Sequence, residues 1–390
     1  MRRMVCLDGL RGALASYVML SHTIPFAPLP YWLLWLFQHG GAGVDMFFIL
    51  SGLVIVQSLD SFKYRARPFL IARVARIYPV FLVVFALAVV VQPIATGFER
   101  MAWIGPDSPA RFIWSGGWPS AWGVFVVTHL TMTHGLFPNG VLPDVWVGFL
   151  GAAWSLSTEW QFYVLALLLG KRLGLLRMAW LFVIMAGVAL VWQAMVPEAW
   201  QFSRAFLPNK AQYFALGVVS GGGMRRGWSA YWPVLVVVMA LCGVQGGFDK
   251  LLPPLAWTIC LAAQYFSFPV PVEAETISLS CEFPHLTRLL RPLWGRRGVL
   301  GWVAVVLASR PMVWLGAVSY CIYLVNEPVQ KLLGVTLSLL VRGDAAWFTV
   351  LWIPGAVLLP IVVASWLHKW IELPAQRYGR GIALGAVKVQ

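Results

Sequence analysis

Charged residues are scarce in this chain. Asp, Glu, Lys and Arg make up 11% of its 390 residues, whereas hydrophobic residues make up 60% and the mean hydropathy is +0.76. A soluble domain of this size cannot bury so much apolar surface, so the composition predicts a polytopic membrane protein. We therefore expect an all-α bundle of membrane helices that forms a single domain over residues 1–390, with no appended soluble domain.

The cysteines lack any paired spacing, and most lie in apolar runs. They are Cys6, Cys242, Cys260, Cys281 and Cys321. This distribution argues against a disulfide framework and against a metal site, so we expect no metal.

Acidic residues are few as well, with 15 Asp and Glu against 29 Lys and Arg, for a formal charge of +14. The cations are scattered between apolar segments and form no basic domain, which argues against a nucleic-acid partner. Cytoplasmic loops that face anionic membrane lipids account for such a distribution.

The first apolar segment, Leu7–His22, contains three ionisable residues: Asp8, Arg11 and His22. Such residues are costly inside a membrane and indicate function. Arg11 and His22 would lie about 16 Å apart along a helix, which is about half of the hydrocarbon core. We expect the cation near one face of the membrane and the imidazole towards the other.

Apolar runs and the placement of Lys and Arg predict ten membrane spans with both termini in the cytoplasm. The spans are Leu7–His22, Gly41–Ser58, Tyr78–Ile94, Trp154–Leu169, Met178–Val196, Gln212–Gly222, Tyr231–Val244, Leu251–Phe268, Met312–Val341 and Trp347–Trp370. The apolar stretch Val299–Ala308 is left unassigned, and residues 269–298 are predicted to form a polar cytoplasmic loop.

One further apolar piece, residues 121–137, is interrupted by His129 and His134. If it crossed the membrane, Lys171 and Arg172 would lie outside, against the charge bias. We therefore interpret it as a re-entrant or interfacial segment.

Six motifs occur in order along the chain. They are LDGLRG with Arg11 and His22, GGAGVDMFFILSG from Gly40, FLIARVARIYPVF, WSLSTEWQFY from Trp154, LGAVSYCIYL from Leu315, and WIELPAQR from Trp370. Together they resemble the acyltransferase-3 family of bacterial integral membrane acyltransferases, over nearly the whole chain. Members modify surface polysaccharides, lipopolysaccharide, Nod factors, peptidoglycan and macrolides.

The resemblance implies a multi-pass protein of the bacterial inner membrane that uses cytoplasmic acyl-CoA, with acetyl-CoA as the expected donor. It implies an essential Arg and His, here Arg11 and His22, and an acceptor hydroxyl on a glycan or glycolipid. The sequence departs from the family at Ala72, where an arginine usually precedes Arg73, and at Asn326, in a region where relatives carry His. Neither the acceptor nor the oligomeric state follows from the sequence.

His22 is a candidate general base, because neutral imidazole can accept a hydroxyl proton near neutral pH. A buried histidine that makes one hydrogen bond is the alternative. Arg11 could bind phosphate oxygens in a fork, or it could pair with Asp8 on the same helix face. Both could hold if Asp8 orients Arg11.

Arg73 and Arg76 lie one helical turn apart at the predicted cytoplasmic mouth of the third span. Their spacing suits the phosphates of coenzyme A. Ordinary cytoplasmic arginines are the alternative.

The predicted topology places His22, Asp45 and Glu159 at similar depth. One carboxylate could hold the His22 tautomer, or either could bind a sugar hydroxyl. For Glu159, a structural hydrogen bond between helices is the alternative.

The remaining substrate-contact candidates are Asp8, Tyr163, Tyr320 and Asn326. Tyr163 shares the helix face of Glu159, and Tyr320 could instead serve only in packing. A covalent acyl relay would need a nucleophile, for which only Ser21 and Ser51 are near His22.

A transporter of an acidic or lipid-linked solute is the rival hypothesis, because buried charges could line a permeation path. The sequence shows no obvious internal repeat, whereas many transporters are built from repeats. A third hypothesis is a catalytically inactive member of the family, because Asn326 stands in the region where relatives carry His.

Overall fold

The computed structural model describes residues 4–267 and 298–388, and within them the protein is helical. Their only β-type pairing is an isolated bridge between Pro138 and Phe202. The helices are α1 Val5–Thr23, α2 Tyr31–Phe37, α3 Gly40–Ser61, α4 Ala66–Val91, α5 Ala110–Ile113, α6 Trp122–Leu130, α7 Trp154–Met195, α8 Ala211–Arg226, α9 Tyr231–Gln245, α10 Phe248–Ser267, α11 Val299–Leu307, α12 Arg310–Leu340, α13 Ala345–Leu367 and α14 Leu373–Lys388. The all-α prediction is confirmed for these residues.

Five helical stretches in the described part are long and apolar enough to cross a membrane. They are Tyr31–Ser61, Ala66–Val91, Gly151–Met195, Arg310–Leu340 and Ala345–Gly385. The predicted polar loop at 269–298 falls, but for its last residue, outside the described residues.

Helix α1 lies at the centre of the bundle, where glycines let it touch α12 backbone to backbone. A Cβ added to Gly12 would lie 2.4 Å from the carbonyl oxygen of Met312, and one added to Gly316 would lie 1.9 Å from that of Asp8. Small residues permit such close approach of membrane helices. Because other helices surround α1, its ionisable side chains need not face lipid.

Two helices that contact α1 run in the relative directions that the sequence predicts. Helix α12 runs parallel to α1, since Gly316 lies opposite Asp8 and Gln330 bonds to Thr23. Helix α3 runs antiparallel to α1, because Gly40 lies opposite Ser21 and Gly43 opposite Val18. We call the two ends of the bundle the Val5 end and the Thr23 end, after the first and last residues of α1.

Helix α7 contains a break that separates two predicted spans. Gly174 has φ 70° and ψ 172°, which is non-helical and lies in a region that favours glycine. The break falls between the predicted ends Leu169 and Met178.

Helix α6, Trp122–Leu130, has nine residues and belongs to the segment predicted to be re-entrant or interfacial. Its length of about 14 Å is under half of the hydrocarbon core. The helix is therefore too short to cross a membrane, in agreement with the interpretation of residues 121–137.

Candidate functional site

A cavity of about 760 Å³, open solvent included, lies among α1, α3, α4, α7 and α12. We call it the central cavity. Its polar lining includes Arg11, Ser51, Arg73, Arg76, Ser155, Glu159, Tyr163, Ser319, Tyr320 and Tyr323.

All three arginines predicted to bind the donor line this cavity, although they come from two helices. Arg11 lies on α1, and Arg73 and Arg76 lie on α4. Arg73 is buried and donates from Nη2 to Ser58 Oγ at 2.7 Å. Its guanidinium also lies over the Tyr163 ring, 5.9 Å from the centroid. Arg73 is thus held in a fixed orientation.

Three carboxylates lie within electrostatic range of Arg11. The charges that act on it come from Asp8, Glu159 and Glu372, together with the neighbouring Arg76. The structure therefore brings the predicted residues Asp8 and Glu159 to Arg11, as the sequence suggested for Asp8.

Glu372 was missed by the sequence reasoning. It lies within the quoted motif WIELPAQR, at the end of the π-helical turn His368–Glu372, and is 3% exposed. A carboxylate in an otherwise apolar helical region was the available signal.

Glu159 and Tyr163 act as a pair in the cavity wall. The Tyr163 hydroxyl donates to Glu159 Oε2 at 2.7 Å across one turn of α7. Tyr320 also lines the cavity, and its hydroxyl donates to the Ile77 carbonyl at 2.7 Å. The predicted shared face of Glu159 and Tyr163 is confirmed.

His22 lies near the Thr23 end of α1 and is not part of the central cavity lining. Its Nδ1 is buried without a hydrogen-bond partner among the described residues, and the Asn326 side chain lies against the imidazole. The Asn326 amide nitrogen donates to the carbonyls of Ile322 and Tyr323, at 3.1 Å and 2.7 Å. Tyr323 lines the cavity, and Asn326 follows it by three residues on α12. His22 therefore contacts α12 about one helical turn beyond the part of α12 that lines the cavity.

Asp45 occupies a different environment. Its carboxylate accepts a hydrogen bond from Lys210 Nζ at 2.6 Å, and both side chains are buried. Glu159 lines the central cavity and His22 contacts Asn326, so these three predicted residues form no single hydrogen-bonded group. Sequence spacing gave no sign of the Lys210 partner, which is 165 residues away.

The two candidate nucleophiles also separate. Ser51 lines the central cavity. The Ser21 hydroxyl donates to the Val18 carbonyl of its own helix at 2.7 Å.

Cys321, His368 and Glu372 bring ligand atoms within 4.8 Å of one another, close enough to hold a metal ion. Hydrogen bonds account for the same proximity. The Cys321 thiol donates to Glu372 at 3.2 Å, and His368 Nδ1 lies 2.7 Å from the same carboxylate oxygen. Gln376 donates to the other oxygen at 2.7 Å.

Comparison with known proteins identifies the family of the chain. The sequence profile of the acyltransferase-3 family, described as an acyltransferase domain, matches residues 4–369. Acyltransferase MdmB of Streptomyces mycarofaciens is 27% identical over 353 residues, which cover 87% of this chain and 81% of that protein. No solved structure matches the chain. With a family match over almost its entire length, the chain belongs to the acyltransferase-3 family of membrane acyltransferases.

Proposed function

We propose that the protein transfers an acyl group, with acetyl expected, from cytoplasmic acyl-CoA to a hydroxyl of a glycan or glycolipid in the bacterial inner membrane. The proposal includes ten spans with both termini in the cytoplasm. The observation that supports it most is the central cavity, which has three arginines in its wall and extends to Tyr323. Tyr323 lies one helical turn from Asn326, whose side chain contacts His22.

The donor would place its phosphates against Arg11, Arg73 and Arg76. Guanidinium groups bind phosphate oxygens in a bidentate way that a lysine does not reproduce. Arg11 and Arg76 repel each other, and the nearby carboxylates offset part of that repulsion. A polyanion between the arginines would relieve the rest.

The pantetheine arm would follow the apolar wall formed by Val54, Ile55 and Ile77. Its thioester would then approach Tyr323 and Ser155, which line the cavity near the N-terminal end of α7. Tyr163 and Tyr320 flank this route, and their hydroxyls are already oriented by hydrogen bonds.

His22 would act as general base. It accepts the proton of the acceptor hydroxyl as the hydroxyl oxygen attacks the thioester carbonyl carbon. The carbon–sulfur bond breaks, and the proton passes to the departing thiolate, which yields free coenzyme A and the ester. Asn326 would orient the imidazole, and no metal takes part.

The carboxylates have separate roles in this proposal. Glu159, together with Tyr163, would hydrogen-bond the reacting groups, and Asp8 would orient Arg11. Asp45 would act through Lys210 by fixing α3 against the segment that precedes α8, because its carboxylate is already engaged.

The test is binding and slow hydrolysis of radiolabelled acetyl-CoA by the protein in nanodiscs. Loss of one charge-assisted contact costs about 1.5–3 kcal/mol, so Arg11→Ala should weaken donor binding by about 10- to 150-fold. His22→Ala should retain binding and lose hydrolysis.

Arg172→Ala is the matched control, because Arg172 is exposed and does not line the cavity. It should behave as the unmodified protein. Failure of the unmodified protein to bind acetyl-CoA would contradict the donor assignment, and unchanged binding in Arg11→Ala would contradict the role of that arginine.

A further inference from the structure

The central cavity has a cationic end, which lies toward the Val5 end of the bundle. Helix α3 runs from the Thr23 end to the Val5 end, as its antiparallel packing on α1 shows. Arg73 bonds to Ser58 in the last turn of α3. Arg76 follows Arg73 by about one turn of α4, and its charge acts on Arg11. The phosphates of the proposed donor would therefore occupy this end of the cavity.

The opposite end of the cavity has an apolar side. Four residues from the early turns of α3 and α7 form it: Val44, Phe47, Phe48 and Leu156. The hydroxyls at this end belong instead to Ser155 on α7 and Tyr323 on α12. An acyl group whose carbonyl faces these hydroxyls would direct its carbon chain toward the α3 side.

Three of the four apolar side chains are packed too tightly to make room for a longer chain. Val44, Phe48 and Leu156 are 5%, 1% and 4% exposed. The Phe48 ring packs against the rings of Trp154 and Phe214, with centroids 5.6 and 4.9 Å apart. Protein interiors are close-packed, so an extra methylene there forces side chains out of their preferred rotamers.

The backbone of α3 is held in place as well. A Cβ added to Gly52 would lie 2.5 Å from the carbonyl oxygen of Phe214, and one added to Gly217 of α8 would lie 2.0 Å from that of Ile49. Toward α1, a Cβ added to Gly40 would lie 2.3 Å from Ser21 Oγ. Because α3 approaches both helices this closely, it cannot withdraw to enlarge the cavity.

Phe47 differs from the other three residues because it is only partly buried. Its ring meets that of Tyr323 on α12, with centroids 6.2 Å apart and an angle of 50° between the planes. The ring therefore lies beside the hydroxyls that the thioester would approach. A chain longer than acetyl that extended toward α3 would have to displace this ring.

We propose that Phe47 sets the length of the transferred acyl group. Its ring leaves room for the methyl group of acetyl on the α3 side of the cavity and excludes butyryl and longer chains. The inference rests on the proposed function, since it takes the thioester to lie beside Ser155 and Tyr323.

The experiment is competition against radiolabelled acetyl-CoA, which measures the affinity of acetyl-CoA and butyryl-CoA for the full chain in nanodiscs. One methylene in an apolar pocket changes recognition by about 10- to 200-fold. Butyryl-CoA should therefore bind the unmodified protein about tenfold or more weakly than acetyl-CoA. Phe47→Ala should bring the two affinities within about threefold of each other, because the ring that excludes the longer chain is removed.

Phe37→Ala is the matched control. Phe37 is likewise partly buried and contacts a tyrosine, with its ring centroid 5.6 Å from that of Tyr17, but it does not line the central cavity. It should keep the preference of the unmodified protein for acetyl-CoA. Phe47→Leu retains an apolar side chain of intermediate size and should give an intermediate preference, so it tests the inference if Phe47→Ala fails to fold.

Equal affinity of the unmodified protein for acetyl-CoA and butyryl-CoA would overturn the inference. A preference for acetyl-CoA that Phe47→Ala and Phe47→Leu both leave unchanged would also overturn it. In that case the binding of acetyl-CoA would still support the proposed donor, and only the role of Phe47 would be refuted. Binding of neither ester would refute the proposed donor and this inference together.

Discussion

The contact between α1 and α12 allows a sharp test, because a single methyl group should disturb the site from a distance. A Cβ at position 316 would lie 1.9 Å from the carbonyl oxygen of Asp8, whereas ordinary van der Waals contact begins at 3.4 Å. The atoms in the way are backbone and cannot rotate aside. Gly316→Ala must therefore move the two helices apart locally by about 1.5 Å.

That displacement acts on functional residues of both helices. Arg11 lies on α1 three residues after Asp8, and Tyr320 lies on α12 one turn after Gly316. A misplacement of about 1 Å can cost about 100-fold in rate. We therefore expect hydrolysis of radiolabelled acetyl-CoA by Gly316→Ala to fall by about 100-fold or more.

Gly187→Ala provides the control, since Gly187 also lies within a helix but a Cβ there would meet nothing within 4 Å. It should retain activity, with unchanged or slightly raised stability. Size-exclusion profiles and melting curves must show that Gly316→Ala remains folded. A folded Gly316→Ala protein with activity within about threefold of the unmodified protein would refute the close-packing argument.

Two further predictions concern buried polar groups. Asp45→Asn leaves Lys210 buried without its anion, so the free energy of unfolding, measured by thermal denaturation, should fall by about 3–5 kcal/mol. The double variant Asp45→Leu with Lys210→Met should recover most of that stability, and an equal loss in the single and double variants would contradict the pairing. Prolonged dialysis against EDTA should leave acetyl-CoA hydrolysis unchanged, because hydrogen bonds already account for the proximity of Cys321, His368 and Glu372. A loss of hydrolysis that added zinc restores would show that these three residues form a metal site.

Much of the helical framework could be predicted from local signals. The first helix was expected at Leu7–His22 and occupies Val5–Thr23. The predicted separation of two spans near residue 174 appears as a backbone break at a glycine. Apolar runs and glycine positions carry this information because helix formation and membrane burial depend mainly on neighbouring residues.

Partners distant in sequence could not be predicted in the same way. Asp45 was expected beside His22 and Glu159, yet its carboxylate bonds to Lys210. Depth along a span says how far a residue lies from each membrane face, but not which neighbouring helix its side chain meets. The rotation of each helix about its own axis decides that, and packing sets this rotation.

By itself, the sequence determined that this protein is a helical membrane protein, and its ordered motifs determined its family resemblance. Composition and local patterns are sufficient for both, because a lipid environment demands long apolar helices whatever their arrangement. Only the tertiary structure decided that Arg11, Arg73, Arg76 and Glu159 share one cavity, and that Phe47 and Tyr323 meet in its wall. Those groupings join residues that are distant in the chain, and they arise from helix contacts that no local pattern encodes.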